Sequence, residues 1–172
     1  MKDPEQFFYS TSIINGINFK VFASHKGILK IYINNKGVKI KREEAIKLQP
    51  DDPYMFNVFN QLREYFNHER QEFELPLDLR GTDFQKGVWK ELRKIPYGQT
   101  ISYKELAIKM GGETKTRAVG QANAFNPVPI VIPCHRVINT GGTMGGYSGG
   151  LKVKEKLLEL EGKLSLELFE ND

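Results

Sequence analysis

The chain has 172 residues, 40% apolar and 27% charged, with a net charge of +4, one cysteine and three histidines. That length suits one large domain or two small ones; no apolar run reaches the ~20 residues of a membrane helix, and no apolar stretch follows Met1-Lys2-Asp3-Pro4 as a secretory leader requires. A single cysteine excludes an intramolecular disulfide and a multi-cysteine zinc site within the chain, and it fits a reducing, cytoplasmic setting. The charge is unevenly spread. Residues 1–79 carry 11 Lys+Arg against 11 Asp+Glu, while residues 80–172 carry 14 against 10, so the whole excess sits in the second half. A modest positive excess suits a polyanionic partner but is weak evidence by itself.

Residues 13–40 read as short strands. Ile17–Phe22 and Ile28–Ile33 alternate, and Ser24-His25-Lys26-Gly27 and Asn34-Asn35-Lys36-Gly37 supply turn residues between them. Pro53 opens a helix whose apolar residues are Tyr54, Phe56, Val58, Phe59, Leu62, Tyr65 and Phe66. The stretch Phe73–Leu79 is extended and closes at Arg80-Gly81, where the domain boundary falls. Thr82 or Asp83 caps the next helix, with Phe84, Val88, Trp89, Leu92 and Ile95 inward, and Pro96-Tyr97-Gly98 ends it. Ser102 with Glu105 makes a capping box for a helix carrying Leu106, Ala107 and Met110 inward, stopped by Gly111-Gly112. A further helix spans residues 116–125. Two short helices across a glycine turn fit a helix-turn-helix, a pattern that enzymes also use.

On that last helix Arg117, Gly120, Gln121 and Ala124 share one face. Small groups beside one long cation let backbone approach a nucleic-acid groove, or let two helices pack closely. Val119 and Ala122 lie on the core side. The glycine-rich run 141–150 lacks the Lys-Ser/Thr of a phosphate loop and wraps a flat ligand or serves as a linker. The final helix spans residues 151–161, with Val153, Leu157, Leu160 and Leu164 at helical spacing. Glu161 lies on that stripe, either as a surface acid at the helix end or as a buried one needing a partner, for which His135 is the candidate.

The most informative stretch is Asn126-Pro127-Val128-Pro129-Ile130-Val131-Ile132-Pro133-Cys134-His135-Arg136-Val137. The only thiol follows an apolar run in proline-stiffened backbone and is joined to an imidazole, which points to a nucleophile. A buried cysteine acting as a small hydrophobe is the plainer alternative.

This run, with Gly146-Tyr147-Ser148-Gly149-Gly150-Leu151 after it, closely resembles the O6-alkylguanine-DNA alkyltransferases. The likeness spans about residues 82–162 and includes Phe84, Val88-Trp89, Ile95-Pro96-Tyr97-Gly98, Ser102-Tyr103, Leu106-Ala107 and Arg117-Ala118-Val119-Gly120. Residues 1–79 resemble the family only in layout. The resemblance implies an α/β N-terminal domain, a small antiparallel sheet with a helix, over residues 1–80. A mainly α C-terminal domain containing a helix-turn-helix then spans residues 81–172.

It also implies single-use repair of duplex DNA: Cys134 takes the alkyl group from guanine O6 and keeps it as a thioether. Glu161 would polarise His135, which draws the thiol proton through a water, and Asn126 would hold the turn. Arg117 would fill the stack after the base flips, with Thr116, Gly120, Gln121 and Ala124 along the DNA in the minor groove. Tyr103 would turn the 3′ phosphate and donate to guanine N3. Ser148 would bond O6, the carbonyls of Cys134 and Val137 would accept the amino group, and Tyr147 would line the pocket. No cofactor, no metal and no membrane enter this picture, and the protein would be a monomer.

Two features depart from the family pattern. Many relatives carry a basic residue and a glycine before the asparagine, where this chain has Ala124-Phe125; that removes one possible phosphate contact and leaves Phe125 either to pack or to contact the groove, so duplex affinity is expected to be modest and salt-sensitive. Some relatives hold zinc through N-terminal cysteines, which this chain lacks. Cys134 separates it from alkyltransferase-like proteins without the thiol. A regulator sensing alkylation would need a further domain that 172 residues do not accommodate. A thiol hydrolase would need an oxyanion motif, and none is evident.

Overall fold

The computed structural model describes residues 5–36 and 45–162, and the chain divides into two compact units, Met1–Arg80 and Gly81–Asp172.

In the first unit, strands β1 (Phe7–Ile14), β2 (Ile17–Ser24), β3 (Gly27–Ile33) and β4 (Ala45–Lys47) form one sheet in the order β3-β2-β1-β4. The first two pairings are antiparallel, but β4 runs parallel to β1. The sheet is therefore mixed rather than purely antiparallel. After β3 the chain crosses back over two strands, so it re-enters beside β1 in the direction β3 already had. The alternation read from residue 13 onward misses most of β1. Its pattern is inverted: Ser10 is fully buried while Ile13 is 72% exposed. The usable signal was Asn15-Gly16, a two-residue loop with positive φ at both positions, as a type I′ hairpin requires. Gly37 of the second turn and the strand extension to residue 40 lie outside the described residues.

Helix α1 (Pro53–Phe66) starts at Asp52, whose carboxylate accepts from the Tyr54 amide at 2.9 Å. It buries Met55, Val58, Phe59, Gln61, Leu62, Tyr65 and Phe66. Tyr54 and Phe56, read as apolar contributors, are exposed instead. Gln61 is buried because it acts as a clasp. Its amide donates to the Glu74 carbonyl at 3.0 Å and its oxygen accepts from the Glu74 amide at 2.9 Å. The extended segment it holds reaches β3, where Ile28 donates to the Pro76 carbonyl at 2.8 Å and Asp78 donates to the Ile28 carbonyl at 2.9 Å. Only Gly fits at position 27: φ is +146°, and a Cβ there would meet the Pro76 carbonyl oxygen at 2.4 Å.

In the second unit α2 (Asp83–Leu92) is capped by Thr82, with Gln85 completing the box, and α3 (Tyr103–Lys109) by Ser102 with Glu105. A single 3-10 turn, Glu113–Lys115, leads into α4 (Thr116–Ala124). Trp89 is buried between α2 and α4 and donates its indole N–H to the Ala122 carbonyl at 2.9 Å. Two short strands absent from the sequence reading, β5 (Ile101–Ser102) and β6 (Val137–Ile138), pair in parallel. Two-residue strands carry no readable period. Helix α5 (Leu151–Leu160) buries Val153, Lys154, Leu157 and Leu158. Its inner face is thus rotated from the stripe read through Leu160, and Leu164 lies outside the described residues. No helix among the described residues is long and apolar enough to cross a membrane.

Candidate active site and nucleic-acid face

The backbone before Cys134 is tied to itself. Asn126 is buried; its amide donates to the Ile132 carbonyl at 2.7 Å and its oxygen accepts from the Val128 amide at 3.0 Å. Ile132 donates to the Val128 carbonyl, and Cys134 donates to the Ile132 carbonyl at 2.8 Å. Within this knot Ile130 has φ +74°, a conformation that costs a β-branched residue about 1–3 kcal/mol and persists only where the surroundings enforce it. Two Asn126 bonds and three prolines supply that enforcement. The result presents Cys134 at the start of a single 3-10 turn, Cys134–Arg136.

Behind that turn the end of α5 brings Glu161 against His135. Nε2 of His135 lies 2.9 Å from Glu161 Oε1, and both side chains are inaccessible. The same carboxylate takes two bonds from Arg136, Nε to Oε2 and Nη2 to Oε1, both 2.9 Å, while Arg136 Nη1 donates to the Ile95 carbonyl at 2.7 Å. The Gly98 amide donates to Oε2 at 3.3 Å. Sequence reasoning missed Arg136. No local signal marks it, because it follows His135 and its burial depends on a distant carboxylate.

The electrostatics follow from burial and pairing. Burial opposes the Glu161 charge, but the hydrogen bonds from His135 and Arg136 outweigh it and hold the pKa at about 2. Burial lowers the His135 pKa despite the bond to Glu161, so the ring is neutral at neutral pH. Burial pushes the Cys134 thiol up to about 11, against the bonding of Asn126 and the charge of Lys154. The resting sulfur is therefore a protonated thiol. Among the described residues, His135 Nδ1 and the Tyr147 hydroxyl are buried without a hydrogen-bond partner.

Lys154 is a second missed residue. Fully buried on α5, its ammonium donates to the Val137 carbonyl at 2.7 Å, to the Met144 carbonyl and to the Gly146 carbonyl at 3.4 Å. It ties β6 and the glycine-rich segment to the helix, and burial lowers its pKa to about 8.

A pocket of about 590 Å3 opens above the thiol. Tyr103, Thr116, Gly120, Ala124, Cys134, Tyr147 and Ser148, all singled out from the sequence, line it together with Asn123, Asn139 and Gly146. Asn123, which sequence reasoning did not select, donates to the Tyr103 hydroxyl at 3.4 Å. Asn126, His135 and Glu161 do not line the pocket but stand behind its floor. Val137 is buried beside it and offers only backbone; its carbonyl already accepts from Lys154 and retains a second lone pair. Arg117 and Gln121 lie on the exposed side of α4, outside the pocket.

A protonated thiol on the floor of a pocket, backed by a buried imidazole and carboxylate and walled by a helix with an exposed cation, defines a group-transfer protein built around a cysteine. Residues 83–163 match the family model described as 6-O-methylguanine DNA methyltransferase, DNA binding domain, and residues 17–79 match its ribonuclease-like domain. A methylated-DNA–protein-cysteine methyltransferase of Mycobacterium tuberculosis is 52% identical over 112 residues, covering 65% of this chain and 68% of the relative. The crystal structure of Mycobacterium tuberculosis O6-methylguanine methyltransferase superposes with a TM-score of 0.83 at 36% identity, covering 97% of this chain and all of that one. A structure of Mycobacterium tuberculosis OGT in complex with DNA gives 0.78 at 39% identity, over 91% and 93% of the two chains. The chain belongs to the methylated-DNA–protein-cysteine methyltransferases, a family of DNA-binding repair enzymes.

Proposed function

We propose that this protein transfers an alkyl group, methyl above all, from O6 of guanine in duplex DNA to Cys134, once per molecule. The observation that carries this is the buried line from pocket to carboxylate: thiol on the floor, His135 behind it with Nδ1 unbonded, and Nε2 anchored on Glu161 at 2.9 Å.

A thiol held near 11 is a poor nucleophile at neutral pH, so deprotonation is coupled to transfer. The Cys134 proton passes through one bridging water to His135 Nδ1, and Glu161 stabilises the imidazolium that forms. The sulfur–carbon bond forms as the carbon–O6 bond breaks. Guanine leaves after taking a proton at N3 from the Tyr103 phenol, and the imidazolium proton returns to the phenolate through solvent. The thioether has no path back to thiol. Asn126 holds the turn that aims the sulfur.

Reaching O6 in a duplex requires extrusion of the nucleotide. Helices α3 and α4 act as a helix-turn-helix in the minor groove. Arg117 enters the vacated stack, while Thr116, Gly120, Gln121 and Ala124 follow the groove. Tyr103 turns the 3′ phosphate, Ser148 bonds O6, the Cys134 and Val137 carbonyls take the amino group, and Tyr147 walls the pocket. The protein acts as a monomer in a reducing, cytoplasmic compartment. The test is intact mass after mixing with excess O6-methylguanine duplex. One addition of about 14 Da, mapped to Cys134 and capped at one per chain, is expected; unchanged mass with tight binding makes the protein a lesion sensor instead.

A further inference from the structure

Phe125 is the one large side chain on the DNA side of α4 that the transfer reaction does not use. It caps the helix C-terminus, its amide donates to the Gln121 carbonyl, and its side chain is 62% exposed. Helical spacing sorts α4 into two adjoining strips. Thr116, Gly120, Asn123 and Ala124 wall the pocket. Arg117, Gln121 and Phe125 follow one another at four-residue intervals on exposed surface. No acidic residue interrupts residues 114–125, and Lys115 adds a second exposed cation at the start. The aromatic ring therefore continues a surface that is cationic at one end and apolar at the other.

The distance is informative. At 1.5 Å rise per residue, Phe125 stands about 12 Å along the helix from Arg117, so the two side chains would meet different parts of a bound duplex. The walls of the minor groove are deoxyribose faces, and exposed Phe is a side chain that minor-groove proteins press against sugars or wedge between steps. Resting on the duplex-binding role above, we propose that Phe125 is an apolar DNA contact. It packs in the minor groove beyond the extruded nucleotide and adds an uncharged contact at the end of the helix away from Lys115 and Arg117.

The experiment measures duplex affinity across a salt series, with transfer to free O6-benzylguanine measured in parallel, for the full chain and for Phe125→Ala and Phe125→Arg. Because an apolar contact releases no counterions, Phe125→Ala should weaken duplex binding about five-fold at every salt concentration with the log–log slope unchanged. Phe125→Arg should bind better than Phe125→Ala at low salt and steepen the slope by about 0.9. Free-base transfer should be the same in all three, because Phe125 does not line the pocket, and unchanged melting excludes a folding defect. Affinity of Phe125→Ala within two-fold of the parent, a loss that vanishes at high salt, or a changed oligomeric state with unaltered DNA affinity overturns the proposal. A parent protein that neither binds duplex nor gains alkyl mass overturns the repair role itself, a result recognisable without either variant.

Discussion

Among the described residues, the N-terminal unit buries three polar side chains, Ser10, Ser24 and Gln61, beneath a core of Phe, Tyr and aliphatic groups. The C-terminal unit buries Asn123, Asn126, His135, Arg136, Lys154 and Glu161. Both have cores of ordinary apolar residues, so the difference is not size or hydrophobicity. Burying charge costs several kcal/mol per ion unless a partner offsets it. A unit that concentrates four ionisable groups in its interior is under a constraint that packing alone does not impose, and those groups gather behind the one cysteine. In the N-terminal unit Gln61 and Ser24 hold chain segments together, Gln61 through Glu74 and Ser24 by donating to Asp78.

The sharpest break between the units is chemical. Cys134→Ala should abolish alkyl transfer while leaving duplex binding largely intact, measured by intact mass and by gel shift; equal loss of both would make the cysteine structural. Next is the buried pair. Arg136→Ala leaves Glu161 without its bidentate partner and should cost about 3–5 kcal/mol in urea unfolding. The exposed Phe56→Ala of the N-terminal unit should stay within about 0.5 kcal/mol.

Acid sharpens the same contrast. The Glu161 pKa is about 2 when folded, below its ordinary value of 4.5, so its contribution to stability is complete above about pH 4.5 and is lost as pH falls toward 2. Glu161→Gln should flatten the stability curve in that window. It should also remove the group that polarises His135 and slow transfer; an unaltered rate and thiol titration would end that role. Arg117→Ala should slow repair in duplex far more than reaction with free O6-benzylguanine, and equal losses would sink base extrusion. A smaller loss than that of Arg136→Ala is expected from Thr82→Ala, about 1 kcal/mol from a lost cap at α2.

Parts of the site were legible because their signals are local. The capping box at Ser102/Glu105 depends on residues three apart and forms, and of the two caps read for α2 it is Thr82 that serves, with Gln85 completing a box. The thiol and imidazole are adjacent in sequence, and Glu161 drew notice as an acid on an apolar helix face. Arg136 and Lys154 were not legible, because a buried cation looks like any surface cation until its partners are known. Those partners are 25 and 41 residues away for Arg136 and 8 to 17 residues away for Lys154. Strand β1 was hidden by an inverted pattern, and the parallel β4 by a crossover that no local period records.

The sequence by itself determined the helices and their caps, the strands β2 and β3, and the residue types available for chemistry, because these depend on spacing within a few residues. Only the tertiary structure decided that Glu161 would be shared between His135 and Arg136, that Lys154 would tie down the glycine-rich segment, and that the thiol would rest protonated on a pocket floor. Each of these is a matter of desolvation and of distance between segments far apart in the chain, and neither quantity exists before the chain has folded.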